Sequence, residues 1–491
     1  MAHYISRRRF LQTATTTASA ATLGSVLAAC GGGPGSSSSI TITYWDHFVT
    51  ESPYYDNEIK LFQKKHPDIK IKRVSQSSDN YDNLYALAER SKNTPDIALI
   101  PQNPAFYDQI KKGWWQPLDK WATKEWRAKF PALALHEGSN IFNGKLYSAP
   151  FEGLVVPFQL YINNQLFREA GLVNADGSVK VPRTWDDVTH AAEAITKKSN
   201  GQVYGLGFGN GGTKVLLWWL FVFLIGADCP GGPGDMDLRV GKYTYASNRA
   251  YGDWMRLFKE WKEKGYMYPN SLSISDEVSK AYFERGKYAM TVGGIWNQAP
   301  WVSHGFKDFS LTTLISPEAE PRSYFPTRPG GMTFAISAHA KNPDAAWAWL
   351  DWLYSVEAGK RFVQQGRGIS IYPQNNDPKN NTFPPFSQYV GTAKYSVTGP
   401  DPTIRNPATS YVTISNPVHP DLTELLTGYY TGQVKDLDAA LLELQQKSQA
   451  KMEEAIKLAN QQGHKVSIKD YIFTDWKDLK KPYITEPGKG Y

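Results

Sequence analysis

The chain has 491 residues, 41% of them hydrophobic, 21% charged, and a formal net charge of +7; that length supports two or more hydrophobic cores. Arg7, Arg8 and Arg9 have no acid beside them, so the rest of the chain carries only about +4, without the long basic run that a nucleic-acid partner requires. Two cysteines, Cys30 and Cys229, exclude a disulfide-stapled scaffold.

In chain order, the first element is a targeting segment. Ser6-Arg7-Arg8-Arg9-Phe10-Leu11 matches the twin-arginine export signal, and the mild Ala/Thr/Leu-rich stretch to Ala29 is too short and polar for a stable membrane span. Leu27-Ala28-Ala29-Cys30 resembles the bacterial lipobox, whose cysteine receives diacylglycerol and becomes the new amino terminus. Residues 1–29 are therefore expected to be a removed signal peptide, and 30–39 a lipidated Cys30 plus flexible linker. The predicted location is extracytoplasmic, lipid-anchored to the cell membrane at the cell surface or in the periplasm. Residues 31–39 (GGGPGSSSS) span roughly 17 Å by random-coil scaling, and acylation of Cys30 leaves Cys229 without a partner in the chain.

The body then alternates. Ile40-Thr41-Ile42-Thr43-Tyr44 reads as a strand, 53–65 as a helix, 69–74 as a strand, 81–90 as a helix, 97–100 as an apolar strand, and a further helix follows Pro104 and ends before Gly113. This order predicts a mostly parallel sheet covered by helices. After Pro150 the pattern restarts with a strand at 158–162 and a helix whose Thr184 and Asp187 form a capping pair. Helices at 248–264 and 275–285 stop at Gly265 and Gly286. The apolar run 215–225 suits a buried helix, and Leu437, Leu441, Leu444, Met452, Ala455 and Ala459 fall on one core-facing helical stripe.

Motifs for catalysis are weak. Gly207-Phe208-Gly209-Asn210-Gly211-Gly212 satisfies GxGxxG, but it lies deep in the chain and no second strand ending in an acid follows at the spacing a dinucleotide site needs. GxSxG and HExxH are absent, the nine histidines are scattered, and Ser78-Asp79-Asn80 with Ser448-Gln449-Ala450-Lys451 occur in the wrong order for a penicillin-binding site. A secreted glycoside hydrolase needs only two carboxylates, for which Asp46 and Glu152 are the candidates.

Five segments in order resemble one family. Pro95-Asp96-Ile97-Ala98-Leu99 with 113–118 (GWWQPL), Asn143-Gly144-Lys145-Leu146-Tyr147-Ser148-Ala149-Pro150, 160–172 with 182–188, 283–296 (FERGKYAMTVGGIW), and 330–337 with 342–353 and 366–373 are similar to stretches of bacterial extracellular solute-binding proteins of carbohydrate ABC importers. Asn164, where a lysine is common, and the long polar segment 375–406 depart from the pattern. The resemblance implies an α/β, two-lobed periplasmic-binding-protein-like (type II) fold with hinge crossings near Pro150, Arg322 and Tyr372 and with C-terminal helices. Lobe 1 is expected at 40–149 plus 323–372, and lobe 2 at 150–322 plus 373–491. It implies a monomeric receptor, not an enzyme, with no cofactor and no metal. Its partners would be a carbohydrate ligand, the transmembrane subunits of an ABC permease, and the membrane through the lipid anchor. A non-transporting sugar sensor would share the same cleft and tether.

Ligands of open α/β sheets bind beyond the carboxyl ends of strands, which selects Trp45 and Asp46 after the first strand and Gln102 and Asn103 after the third. Phe151 and Glu152 follow the first crossing, where the family often carries an aromatic–acid pair. Trp296 and Asn297 follow the Gly293-Gly294 turn, and Arg328 precedes Gly330 at another crossing. Of the adjacent Trp218 and Trp219 only one can face a cleft, and Trp218 is the candidate.

Overall fold

Alternation in the first strand works as a sorting device: in β1 (Ile40–Asp46) Ile42, Tyr44 and Asp46 are buried while Thr41 faces solvent. The computed structural model describes residues 39–131, 134–212, 215–327 and 333–483. The export signal, Cys30, the linker to Ser38, Arg328 and Gly330 lie outside the described residues. β2 (Ile69–Ser75) and β3 (Ile97–Leu99) flank β1 in parallel, with Ile40 opposite Ile69 and Tyr44 opposite Ile97. A short hairpin of β4 (Ile141–Phe142) and β5 (Lys145–Leu146) follows; its turn, Asn143-Gly144, takes positive φ at both residues, the conformation Asn-Gly favours in two-residue hairpins.

The second sheet holds β6 (Gln159–Asn163), β7 (Tyr204–Leu206), β8 (Tyr288–Gly293) and β9 (Phe309–Thr312) in the order β7-β8-β6-β9. Three more strands complete the set. β10 (Phe325–Thr327) pairs with β12 (Ser396–Thr398), and β11 (Phe334–Ile336) returns to the first sheet beside β3, giving the order β11-β3-β1-β2. The expectation of a mostly parallel sheet holds with one exception in each sheet. β6 is antiparallel to both β8 and β9, and β11 is antiparallel to β3, so each sheet contains one reversed strand. In each case it is the strand the chain enters just after leaving the other sheet, so it arrives from the opposite side.

Helices cover both sheets where the periodicity places them. Thr184 Oγ1 accepts the Asp187 amide at 3.0 Å while Asp187 Oδ2 accepts the Thr184 amide at 3.1 Å, closing the capping box of helix Trp185–Lys198. Gly265 and Gly286, at φ +74° and +70°, end helices Arg249–Glu263 and Asp276–Glu284. Helix Leu216–Leu224 is buried through Leu216, Trp219, Leu220, Val222, Phe223 and Leu224. The long helix Leu437–Gln461 turns its predicted stripe, Leu437, Leu441, Leu444, Met452, Ala455 and Ala459, inward. One core gathers Ile42, Tyr44, Phe62, Ile97, Trp349 and Leu350 around the first sheet; another gathers Leu160, Ile162, Trp219, Trp254, Phe258 and Leu441 around the second. Two sheets with separate cores make a two-lobed α/β architecture.

The chain passes between the lobes three times. The first and third passages lie side by side: Gly153 donates to Ile369 O at 3.0 Å and Ile371 to Phe151 O at 3.1 Å, around a bridge of Glu152 with Ser370. A Cβ on Gly153 would stand 2.7 Å from Ser370 O, so glycine permits this approach. Near the expected second passage, Arg322 donates to Gly226 O at 2.8 Å, Ser323 to Ile225 O, and Phe325–Thr327 is paired in β10.

Candidate functional site

The lobes meet where the turn after β1 packs against the turn after β8, that is, Val49–Glu51 against Ile295–Asn297. On the second-lobe side of this seam stand three half-buried rings. Phe158 and Trp218 stack at 5.3 Å with planes 14° apart, and Trp296 sets its edge to both, at 5.6 Å from Trp218 and 6.1 Å from Phe158. Two glycines make room. A Cβ on Gly294 would come within 2.0 Å of the Trp296 ring, and one on Gly293 within 2.4 Å of Asn297 Oδ1. Beneath the platform the Lys280 ammonium is held by Asp276 at 2.8 Å and Val292 O at 2.7 Å, with Trp218 5.8 Å away.

On the other side three ionisable groups converge that make few hydrogen bonds. Glu51 is 5% exposed, and its Oε2 lies 3.6 Å from Arg367 Nε; neither atom has a hydrogen-bond partner. Arg367 Nη1 reaches Thr50 O at 3.1 Å. Burial pushes the Glu51 carboxyl up to about 7 despite Arg367. Burial, and then repulsion from Glu51, push Glu152 up to about 8. His47, in the same turn after β1, has its ring against Phe48 and Tyr81 and a buried, unpartnered Nδ1; burial lowers its pKa. Stacking rings beside acids, a guanidinium and an imidazole form a surface that can take both faces and edges of a polyhydroxylated molecule.

A family model described as bacterial extracellular solute-binding protein matches residues 49–360. The chain belongs to this family. Among curated relatives, the multiple sugar-binding protein of Streptococcus mutans is 23% identical over 382 residues, 76% of this chain and 85% of that protein. An uncharacterized ABC transporter extracellular-binding protein of Pyrococcus horikoshii is 23% identical over 378 residues, 74% of this chain and 78% of that protein. Among solved structures, the GacH receptor of Streptomyces glaucescens superposes with TM-score 0.65 at 19% identity, covering 86% of this chain and 99% of that one. The MalE domain of Bdellovibrio bacteriovorus, bound to maltotriose, gives 0.60 at 16% identity, covering 85% and 100%. Both share the two-lobed fold described above.

Within this solute-binding protein the residues singled out from sequence divide. Trp218, Trp296 and Glu152 are brought to the seam, and the neighbour Trp219 packs fully inward. Gln102 and Asn103 are exposed beyond β3, their amides held by Asp82 at 3.1 Å each. Trp45 is half-buried against Ala98, Trp115 and Ala335. Three others serve the scaffold. Asp46 is 0% exposed, bound by Arg73 through both carboxylate oxygens at 2.6 and 2.8 Å and by Ser75 at 2.8 Å, so no oxygen is left over for a ligand. That also removes half of the Asp46–Glu152 pair a glycoside hydrolase would need. Phe151 is 3% exposed among Tyr54, Tyr354 and Phe362 of the first core. Asn297 caps its own turn, Oδ1 accepting the Gly294 amide at 3.0 Å.

Sequence reasoning missed Glu51, Arg367, His47 and Phe158. Glu51 and His47 sit in the turn that the strand-end rule already pointed to, five and one residues past Asp46; Arg367 carried no signal beyond its nearness to the third crossing. The GxGxxG run is explained by packing. Cβ atoms would meet Tyr288 at 2.4 Å from Gly207, Ser275 O at 2.2 Å from Gly209, and Ser273 O at 2.7 Å from Gly211.

Proposed function

We propose that this solute-binding protein is the extracytoplasmic receptor of an ABC importer for a sugar or oligosaccharide. The observation that carries this reading is the Phe158–Trp218–Trp296 platform on the interlobe seam, because C–H faces of sugar rings stack on aromatic planes while hydroxyls seek charged acceptors and donors. The names of the relatives support it: the Streptococcus mutans protein is a multiple sugar-binding protein and the Bdellovibrio domain is bound to maltotriose.

In this proposal Trp218 and Trp296 stack on the ligand, Glu152, Glu51 and Arg367 hydrogen-bond its hydroxyls, and Trp45, Gln102 and Asn103 extend the contact along the first lobe. Ligand draws the hinged lobes together because it touches both only in the closed form. The closed face then docks on the permease, and nothing is chemically altered. Cys30 carries the lipid that keeps the body at the membrane after twin-arginine export.

Titration calorimetry with a panel of maltooligosaccharides, xylooligosaccharides, raffinose and monosaccharides tests the reading. At least one saccharide is expected to bind with micromolar affinity, equivalent to about 8 kcal/mol, with Trp296→Ala losing tenfold or more. Failure of every saccharide, or product formation during the titration, refutes it.

A further inference from the structure

The segment 401–412, which spans the end of the polar stretch 375–406, touches both lobes. Its roots are in the second lobe. Arg405 lays its guanidinium 3.5 Å over the Phe473 ring and donates to Ile472 O at 2.5 Å, Asn406 Nδ2 donates to Lys465 O at 2.8 Å, and Ala408 and Val412 pack on the second core. Its outer edge rests on the first lobe, on the turn that leads into the β4–β5 hairpin. Asp401, 0% exposed, uses Oδ1 to cap its own turn at the Thr403 amide, 2.7 Å, and sets Oδ2 3.1 Å from His136 Nε2. Thr403 sits on Gly138 so closely that a Cβ there would meet its Cβ at 2.8 Å. Tyr411 abuts the Tyr107 ring at 4.1 Å, reaches Asn143 Oδ1 with its hydroxyl at 3.4 Å, and stacks on its other face against His464 at 3.7 Å.

We propose that residues 401–411 form a strap, fixed to the second lobe, that latches onto the first lobe at His136, Gly138, Asn143 and Tyr107 and must undock for the lobes to part. This rests on the reading of a hinged receptor. The physical argument is one of asymmetry. The second-lobe contacts combine backbone acceptors, the Asp470 carboxylate, rings of Phe473 and His464 and a hydrophobic core, which hold through a rigid-body rotation. Those to the first lobe include two rings in edge contact, one long hydrogen bond, one imidazole–carboxylate contact and a threonine against a glycine, which separate together without unfolding either partner. Such a latch raises the share of closed molecules before any solute arrives, and a more populated closed state binds its ligand more tightly in proportion.

The test uses the full chain with Cys30→Ser, so that it stays soluble without an acyl group, and small-angle scattering in buffer alone. Thr403→Trp is the wedge, since Thr403 already lies against Gly138 and an indole there is expected to push the strap away. Thr403→Ser keeps the hydroxyl on Asp401 and is the control. Tyr411→Ala removes the ring contacts independently. The wedge and Tyr411→Ala are expected to increase the radius of gyration while Thr403→Ser matches the parent, and near-ultraviolet circular dichroism verifies that each is folded. For any saccharide that binds the parent, the wedge is expected to weaken affinity about tenfold. Unchanged dimensions in both folded variants overturn the strap, whatever the saccharides do. A parent that never compacts with any saccharide overturns hinge closure instead, and the two failures are separately visible.

Discussion

Glu152 makes stability depend on pH in a direction opposite to an ordinary surface acid. Its carboxyl is raised from 4.5 to about 8, first by burial and then by Glu51. Between those values the folded chain holds a proton that the unfolded chain has released, so stability falls as pH rises from 4.5 to 8 and levels off beyond. Each pH unit in that window costs about 1.4 kcal/mol, and the span from 4.5 to 7 comes to about 3 kcal/mol. Glu152→Gln keeps the shape and has no proton to lose. Urea unfolding of parent and variant at pH 4.5, 6, 7 and 8 is therefore expected to give nearly equal stabilities at the lowest pH and a variant more stable by about 3 kcal/mol at neutrality. A gap that stays constant across the range refutes the assignment of a neutral, half-buried Glu152.

Asp46→Ala leaves Arg73 buried without its counter-charge and is expected to cost about 3 to 5 kcal/mol in urea unfolding, with the pair intact in Asp46→Glu only if Arg73 can shift. Gly294→Ala pushes a methyl group into the Trp296 ring and is expected to weaken saccharide binding as Trp296→Ala is expected to, while leaving the melting temperature within a few degrees; a G294A protein that binds normally overturns the role of the platform. Gly209→Ala puts a Cβ 2.2 Å from Ser275 O, so it is expected to destabilise by about 1 to 3 kcal/mol with no effect of added nucleotide on melting. Thr184→Ala opens the capping box and is expected to cost about 1 kcal/mol in the same assay.

Much of the architecture was legible because its signals are local. The capping box at Thr184, the stop glycines 265 and 286, and the inward stripe of helix Leu437–Gln461 each depend on residues within a few turns of one another. What could not be read is non-local. That β6 and β11 run against their neighbours follows from where the chain re-enters each sheet, which no periodicity encodes. In the site the strand-end rule points to the turn after β1, where Asp46 turns back onto Arg73, 27 residues away in β2, while Glu51, one short turn later, reaches the seam. Trp218 and Trp296 were found because a glycine pair and an adjacent tryptophan constrained them; Phe158, on which Trp218 stacks, appeared only as the start of a strand.

The paired passages at Gly153 and Ser370 have a mechanical corollary. Two strands zipped by backbone hydrogen bonds resist being splayed but twist readily about their common length. Whatever movement the lobes make must carry this zipped pair along, and a side chain added at Gly153, 2.7 Å from Ser370 O, is expected to part it.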